Sequence, residues 1–266
     1  MAPTLSTIHV YPIKSCAPLT VANATVEDRG FATDRRWMIV DANARFVTGR
    51  EQPRLTLIRA LPEGNGLNLS APGMPPLRLL PPADALRVET VVWKSTVQAL
   101  PAPLDADVWI SRFLGRTARF VHMDAACARA VDAKYGAPND EVSFADGFPL
   151  LLISQAALDL LNTKLAAPVP MLRFRPSVVV AGTAAHAEDS WKRVRIGTVE
   201  FDVVKPCSRC VFTTVDFERG TFDPSGEPLR TLLTYRRTPN GVMFGQNLIP
   251  RGRGVLHVGA PVEVVE

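Results

Sequence analysis

The chain has 266 residues and a formal net charge of +4, with 47% hydrophobic and 21% charged residues. That length supports one large core or two modest domains, and that balance excludes a disordered chain. No run of 18 apolar residues occurs, and no long basic run or aromatic–basic ladder, so neither a membrane anchor nor a nucleic-acid partner is expected.

The first 95 residues read as β-rich. STIHVYPI, TVEDRG, RWMIVDA, LTLIRAL, GLNLSA and LRVETVVW are short apolar segments split by Gly, Pro, Asn or Asp, the pattern of sheets or a small barrel. Asp41-Ala42-Asn43 predicts a tight turn. Pro101 and Pro103 mark a connection, after which DADVWISRFLGR predicts a helix with Asp105 or Asp107 at its start. FPLLLISQAALDLLNTKL reads as a strand running into a helix that Ser154 caps and that continues through Leu165. PSVVVAG is a buried strand, and VRIGTVEFDVVKP a hairpin turning at Gly197. GRGVLHVGAPVEVV repeats that alternation. The order gives an α+β, mostly β protein, without regular βαβ units and without GxGxxG, Walker or HExxH patterns.

Five segments can carry chemistry. KPCSRC, residues 205–210, holds Cys207 and Cys210. Such a pair can bind zinc, exchange disulfides, supply a single thiolate to a metal, or simply pack as two small thiols. Cys16 and Cys127 are the only other cysteines, so no second close pair completes a zinc site. Lys205 and Arg209 nearby favour a thiolate, and thiolates select soft metal centres. YPIKSC puts Lys14 and Ser15 at a strand end, where an ammonium, a hydroxyl and backbone N–H groups suit an oxyanion. DRRW sets Arg35 and Arg36 before a strand, one inward and one outward, with Asp34 as a partner. LRFRP alternates Arg173 and Arg175 with Leu172 and Phe174, as on one strand face. EDSW reads as a tight loop, and Ser190 has no evident histidine partner for a hydrolase triad. Lysine occurs only at 14, 94, 134, 164, 192 and 205; the other basic residues are arginines, whose rigid fork suits phosphate. An arginine-rich surface explains the same bias.

YPIKSC, DRRWMIVD, FVTGREQPRLTLI, FADGFPLLLISQAALDLLN, FRPSVVV, EDSWKRVRIG, CSRCVFTTVD and FGQNLI, in this order, resemble the MOSC superfamily. The branch they resemble holds the mitochondrial amidoxime-reducing components and the bacterial YcbX-like proteins. The resemblance implies an N-terminal MOSC β-barrel region over residues 1–100. It implies a MOSC domain with a mixed β-barrel over residues 101–266, packed against the first. It implies a molybdenum cofactor, a pterin dithiolene carrying a phosphate, with Cys210 as catalytic residue and metal ligand. Lys14, Ser15 and Arg35 match residues that hold the phosphate and pterin end. Arg175 matches an arginine on the cofactor, and Ser208 a polar contact. Ser177 stands where the family commonly has asparagine; serine reaches less far, so that contact is expected to be lost or bridged by water. Thr48 to Arg54 and the 146–149 loop fall in segments that line the pocket.

The activity implied is reduction of N-hydroxylated or N-oxide compounds. Electrons would come from an external flavin or iron–sulfur protein, since the chain lacks the cysteine cluster of a ferredoxin-type domain. Asp146 and Asp189 are candidates for proton delivery. Free thiols and the absence of a signal-like N-terminus point to the cytoplasm. The alternatives are a non-enzymatic carrier of the cofactor or of sulfur, and a module binding another phosphate ligand such as pyridoxal phosphate.

Overall fold

The computed structural model describes residues 2–83 and 85–266. The fold is α+β and mostly β. Its largest sheet has nine strands, and the N-terminal strand Thr4–Val10 lies inside it, between Leu19–Val21 and Val178–Ala181. The sheet continues through Leu150–Ser154, Gly241–Pro250, Val199–Arg209, Arg193–Ile196 and Val262–Val264. Leu150–Ser154 runs parallel to Val178–Ala181. Helix α2 is part of the crossover between them, one strand–helix–strand unit in a protein otherwise read as lacking them.

A four-stranded sheet joins Trp37–Asp41, Ala118–His122, Ser95–Pro101 and Val88–Val92. A three-stranded meander is built from Arg59–Glu63, Gly66–Ser70 and Leu77–Leu79. Among the described residues three α-helices occur: α1 (Leu104–Leu114), α2 (Gln155–Asn162) and α3 (Leu229–Tyr235). The third was not legible, because LRTLLTY is too short for a helical period to stand out.

Apolar burial explains the placement. Trp109, Ile110 and Phe113 of α1 pack on Ile39, Leu55, Leu69 and Phe120 in one core. Leu5, Ile8, Val26, Phe31, Val178, Val180, Val194 and Phe201 form a second core beneath the large sheet. Ala157, Leu158 and Leu161 of α2 form a third with Phe174 and Phe244. Each fully buried large side chain contributes roughly 1.5–3 kcal/mol.

Several local expectations change. Asp105 and Asp107 do fall in the first turn of α1, with Pro103 ahead of them at the N-cap, and Asp105 accepts from Ala106 N–H. Ser154 does cap α2, accepting from Ala157 N–H at 3.3 Å, but the helix ends at Asn162, before Leu165. The Leu55 segment opens as a 3-10 turn, Pro53–Leu57, because proline fixes φ and lacks the N–H a strand ladder needs. VFTT after Cys210 also forms a 3-10 turn. The C-terminal alternation is not a hairpin: Gly254–His257 pairs with Asn23–Glu27, while Val262–Val264 pairs with Arg193–Ile196.

Two histidines are held as neutral rings, His9 buried and His122 half-buried. His9 is 5% exposed, with Nδ1 3.0 Å from Thr20 Oγ1, and burial pushes its pKa down to about 4. Burial does the same to His122, also to about 4. The unfolded chain takes up these protons below its ordinary 6.5, whereas the folded chain refuses them until about 4. Stability is therefore lost as pH falls through that window, by on the order of 3 kcal/mol for His9. The melting temperature should drop between these pH values less steeply in His9→Gln than in the wild type. Identical slopes by scanning fluorimetry would contradict the buried neutral ring.

Candidate functional site

One cleft opens where the N-terminal turn, the 144–149 loop, the segment after Pro170 and the end of the long strand Val199–Arg209 meet. It encloses about 850 Å³ of open space, solvent mouth included. All seven residues singled out in the sequence line it: Lys14, Ser15, Arg35, Arg175, Ser177, Ser208 and Cys210. They are brought there by four chain segments that are remote in sequence.

The N-terminal side begins where strand Thr4–Val10 leaves the large sheet. Lys14 N–H donates to Trp37 O at 2.8 Å and Cys16 N–H to Ile13 O at 3.2 Å, closing the turn. Ser15 sits there with φ 67. Lys14 is 4% exposed, and its ammonium donates to Phe144 O at 2.7 Å and Asp146 Oδ1 at 2.5 Å. Burial pushes the Lys14 pKa down to about 8, against the pull of Asp146. Desolvation opposes ionisation of Asp146, but Lys14 and Arg50 outweigh it and hold the carboxyl well below the usual range.

Arg35 and Arg175 flank the fully buried ring of Tyr11, with their guanidinium carbons 4.3 and 4.1 Å from its centroid. Arg35 pairs with Asp34 Oδ2 at 2.5 Å, and Asp34 Oδ1 also accepts from Tyr11 N–H at 2.7 Å. Arg36 points away and pairs with Glu27, as the inward–outward reading expected. Tyr11 O–H donates to Pro176 O at 3.0 Å, and burial pushes its pKa up to about 12 despite the two arginines.

The arginines of LRFRP do not alternate along a strand. Met171–Phe174 is a 3-10 turn and Arg175 has φ 54, so the chain folds back and both Arg173 and Arg175 still reach the cleft. Arg175 Nη1 donates to Cys16 O at 2.8 Å. Burial lowers the Arg175 pKa to about 10. Ser177 Oγ accepts from Leu151 N–H at 3.2 Å, which leaves its own proton to donate. Ser15, Arg35 and Arg175 all occupy the left-handed region, rare for side chains of this size and typical of positions fixed by function.

Two irregularities deform the CSRC strand. Pairing with Gly241–Pro250 shifts between Val203 and Lys205 and again between Pro206 and Ser208. At the second, Gly245 adopts φ 83, and a Cβ there would lie 2.7 Å from Leu152 O, so only glycine fits. Bulges re-aim side chains. Here they let Cys207, Ser208, Arg209 and Cys210 all border the cleft instead of alternating between faces.

Arg209 Nη1 lies 2.8 Å from Cys207 Sγ, and its Nη2 donates to Phe174 O. Cys210 is exposed, with Arg50 Nη1 3.9 Å from its sulfur. Arg50 and Arg209 were not named as site residues. Arg209 had a signal, its place between the two cysteines; Arg50 had only its position in a segment expected near the pocket.

Three buried donors at this cleft have no partner: Arg175 Nη2, Arg209 Nε and Thr48 Oγ1. Such groups are costly to bury empty, and beside Lys14 and Arg35 they suit a polyanionic, many-oxygened ligand. Among the described residues no group of three or more His, Cys, Asp or Glu could hold a bare metal ion. One exposed thiol next to an anion site fits instead a metal that brings its own ligands with an anionic carrier. Asp189 does not join this site: it pairs with Arg236 at 2.6 Å and Gln246 at 2.7 Å in a separate hollow.

Burial also ranks the thiols. Cys16 and Cys127 are buried, and burial pushes Cys16 up to about 12 and raises Cys127. A thiol reagent should label Cys210 first, then Cys207, and the other two only after denaturation. Peptide mass mapping that found Cys16 labelled in the native protein would contradict this ranking.

Comparison with known proteins agrees with the architecture. Residues 2–117 match the MOSC N-terminal beta barrel domain and residues 139–263 the MOSC domain. The chain is 37% identical over 267 residues to mitochondrial amidoxime-reducing component 1 of Danio rerio, covering 95% of this chain and 82% of that one. It is 35% identical to the Mus musculus protein of the same name, over 97% of this chain and 81% of the other. For the Homo sapiens protein the identity is 32%, over 97% and 82%. Among the described residues no helix is long and apolar enough to cross a membrane. With both domains matched and these relatives aligned over nearly its whole length, the chain belongs to the MOSC superfamily, in the branch of the amidoxime-reducing components.

Proposed function

We propose that this protein is a molybdenum-cofactor-dependent reductase of N-hydroxylated and N-oxide compounds, fed with electrons by a separate flavin or iron–sulfur protein. The kinship with amidoxime-reducing components supports N-reductive activity. The observation that carries the cofactor reading is the pairing of unpartnered buried donors on Arg175, Arg209 and Thr48 with a single exposed thiol at one cleft.

In this reading Lys14, Ser15, Arg35 and Arg175 hold the phosphate and pterin end, with Ser177 and Ser208 adding hydroxyl groups. Cys210 is the protein's ligand to the metal and fixes its orientation and potential. When bound, the molybdenum cofactor supplies a two-electron redox centre. An amidoxime then takes up two electrons and two protons and yields an amidine and water. The chain's own contribution is preorganisation. Lys14 is already anchored by Phe144 O and Asp146, and Arg35 by Asp34, so little side-chain freedom is lost on binding. Arg209 holds Cys207 to one side, leaving Cys210 as the thiol at the mouth. Asp146, kept ionised by Lys14 and Arg50, acts as an acceptor and not as a proton source.

We assign the protein to the cytoplasm on its four free thiols. The same cationic floor would hold another phosphate ligand. Lys14, the one lysine lining the cleft, is tied up by its two acceptors, which disfavours an imine with pyridoxal phosphate.

Molybdenum and released pterin should be measured together in protein from a host that makes the cofactor. Near-equal amounts are expected in the wild type, loss of molybdenum in Cys210→Ala, and at least about tenfold loss of both in Arg175→Ala. Steady turnover of an amidoxime with a reduced dye separates a reductase from a carrier. Neither metal nor pterin, despite a cofactor-competent host, would overturn the proposal, and a released yellow chromophore would point to pyridoxal phosphate.

A further inference from the structure

Trp93 is 43% exposed, while Trp37, Trp109 and Trp191 are 3%, 5% and 7% exposed. It stands at the tip of the hairpin formed by Val88–Val92 and Ser95–Pro101, where Val92 pairs with Ser95 and leaves a two-residue turn. Its φ is 56, a left-handed conformation that bulky residues rarely adopt and that such turns normally give to Asn, Asp or Gly. A tryptophan in this place needs a reason.

Its contacts supply one. The indole Nε1–H donates to Asp146 Oδ1 at 3.2 Å. The Arg50 guanidinium lies 4.3 Å from the Trp93 ring, and Phe46 packs against that ring at 5.1 Å. Asp146 and Arg50 both line the cleft. Arg50 Nη1 lies 3.9 Å from Cys210 Sγ and 3.8 Å from Asp146 Oδ2. Asp146 Oδ1 already serves Lys14 and Trp93, whereas Oδ2 has only that long contact, and the side chain remains 64% exposed. An acceptor oxygen and a guanidinium thus stand side by side at the thiol end.

We propose that the hairpin tip sets substrate selectivity: Trp93 fixes Asp146 and Arg50 beside Cys210, where they read the N–H and the N–O oxygen of an N-hydroxylated amidine. This rests on the reductase reading. An amidoxime carries an amino N–H adjacent to its N–O group, so Asp146 Oδ2 accepts from the first while Arg50 donates to the oxygen. A tertiary amine N-oxide offers only the oxygen, so it displaces water from Asp146 Oδ2 without giving that oxygen a donor in return, which disfavours it. Trp93 acts through these two residues and is a positioning residue.

The test uses the full-length holoenzyme with a reduced dye as electron source, and compares kcat/KM for an aromatic amidoxime and a tertiary amine N-oxide. In Trp93→Ala the amidoxime to N-oxide ratio should fall at least about tenfold, mainly through the amidoxime KM. Trp93→Phe keeps a ring beneath Arg50 but loses the N–H to Asp146, and should fall part-way. Asp146→Asn should lower the same ratio. Molybdenum content is compared in each variant, and if Trp93→Ala loses the metal, Trp93→Phe decides. As a readout without turnover, the amidoxime should shield wild-type tryptophan fluorescence from acrylamide more than the N-oxide does. A wild type that reduces neither compound overturns the reductase reading and this inference with it. A wild type that reduces both, with the ratio unmoved in a metal-replete Trp93 variant, overturns this inference alone.

Discussion

Lys14, Arg35 and Arg175 sit within one cleft, where burial, and beside it the charge of Arg35, disfavours the charged forms of Lys14 and Arg175. Much of the local architecture answers that constraint. Asp34 is wholly buried and divides itself between the Arg35 guanidinium and the Tyr11 backbone. The Tyr11 ring receives both arginines over its electron-rich π face, a weaker but space-filling compensation. Backbone carbonyls of Cys16, Phe144 and Phe174 take further N–H groups. A buried cation with its partners removed would be far more costly than the pair is worth. The donors left over on Arg175, Arg209 and Thr48 are the ones the proposed anionic cofactor would satisfy.

The scaffold reaches this through strand placement. Strand Thr4–Val10 is inserted into a sheet otherwise built mainly from residues beyond 150, and its exit delivers Lys14 and Ser15 to the cleft and buries Tyr11 beneath Arg35 and Arg175. Trp37–Asp41 pairs with Ala118–His122, which fixes the approach of Arg35. On the far side, the bulged pairing of Val199–Arg209 with Gly241–Pro250 turns four consecutive residues toward the same opening. Left-handed backbone at Ser15, Arg35, Trp93 and Arg175 is the local expression of these demands, since each is held by contacts on several sides.

Chemically the cleft is divided. One end is cationic and rigid before any ligand arrives. The other end holds an exposed thiol with Arg50 beside it, and an ionised Asp146 bridges that arginine to Lys14 of the first end. Buried Cys16 and Cys127 are removed from reaction by their raised pKa values, so thiol chemistry is confined to the CSRC segment. Separation of an anchoring end from a reacting end is what a large anionic cofactor with a single protein ligand requires.

Much was fixed by local sequence. Alternating apolar runs between turn residues specified a mostly β chain, and Ser154 specified the start of α2, because strand period and N-capping are properties of a few adjacent residues. The motif order identified the family and singled out Lys14, Ser15, Arg35, Arg175, Ser177, Ser208 and Cys210, which do share one cleft. What local pattern misread depended on non-local terms. LRFRP has strand-like alternation but turns as a 3-10 segment, because its backbone is bent by the site it builds. Trp93 carries no signature at all, and Arg50 only its place in a segment expected near the pocket, since their importance lies in contacts with residues dozens of positions away. Residue types and periods are local quantities and could be read in order. Bulge positions, the unpartnered donors and the Trp93–Arg50–Asp146 contact exist only once distant strands are paired, so tertiary structure alone decided them.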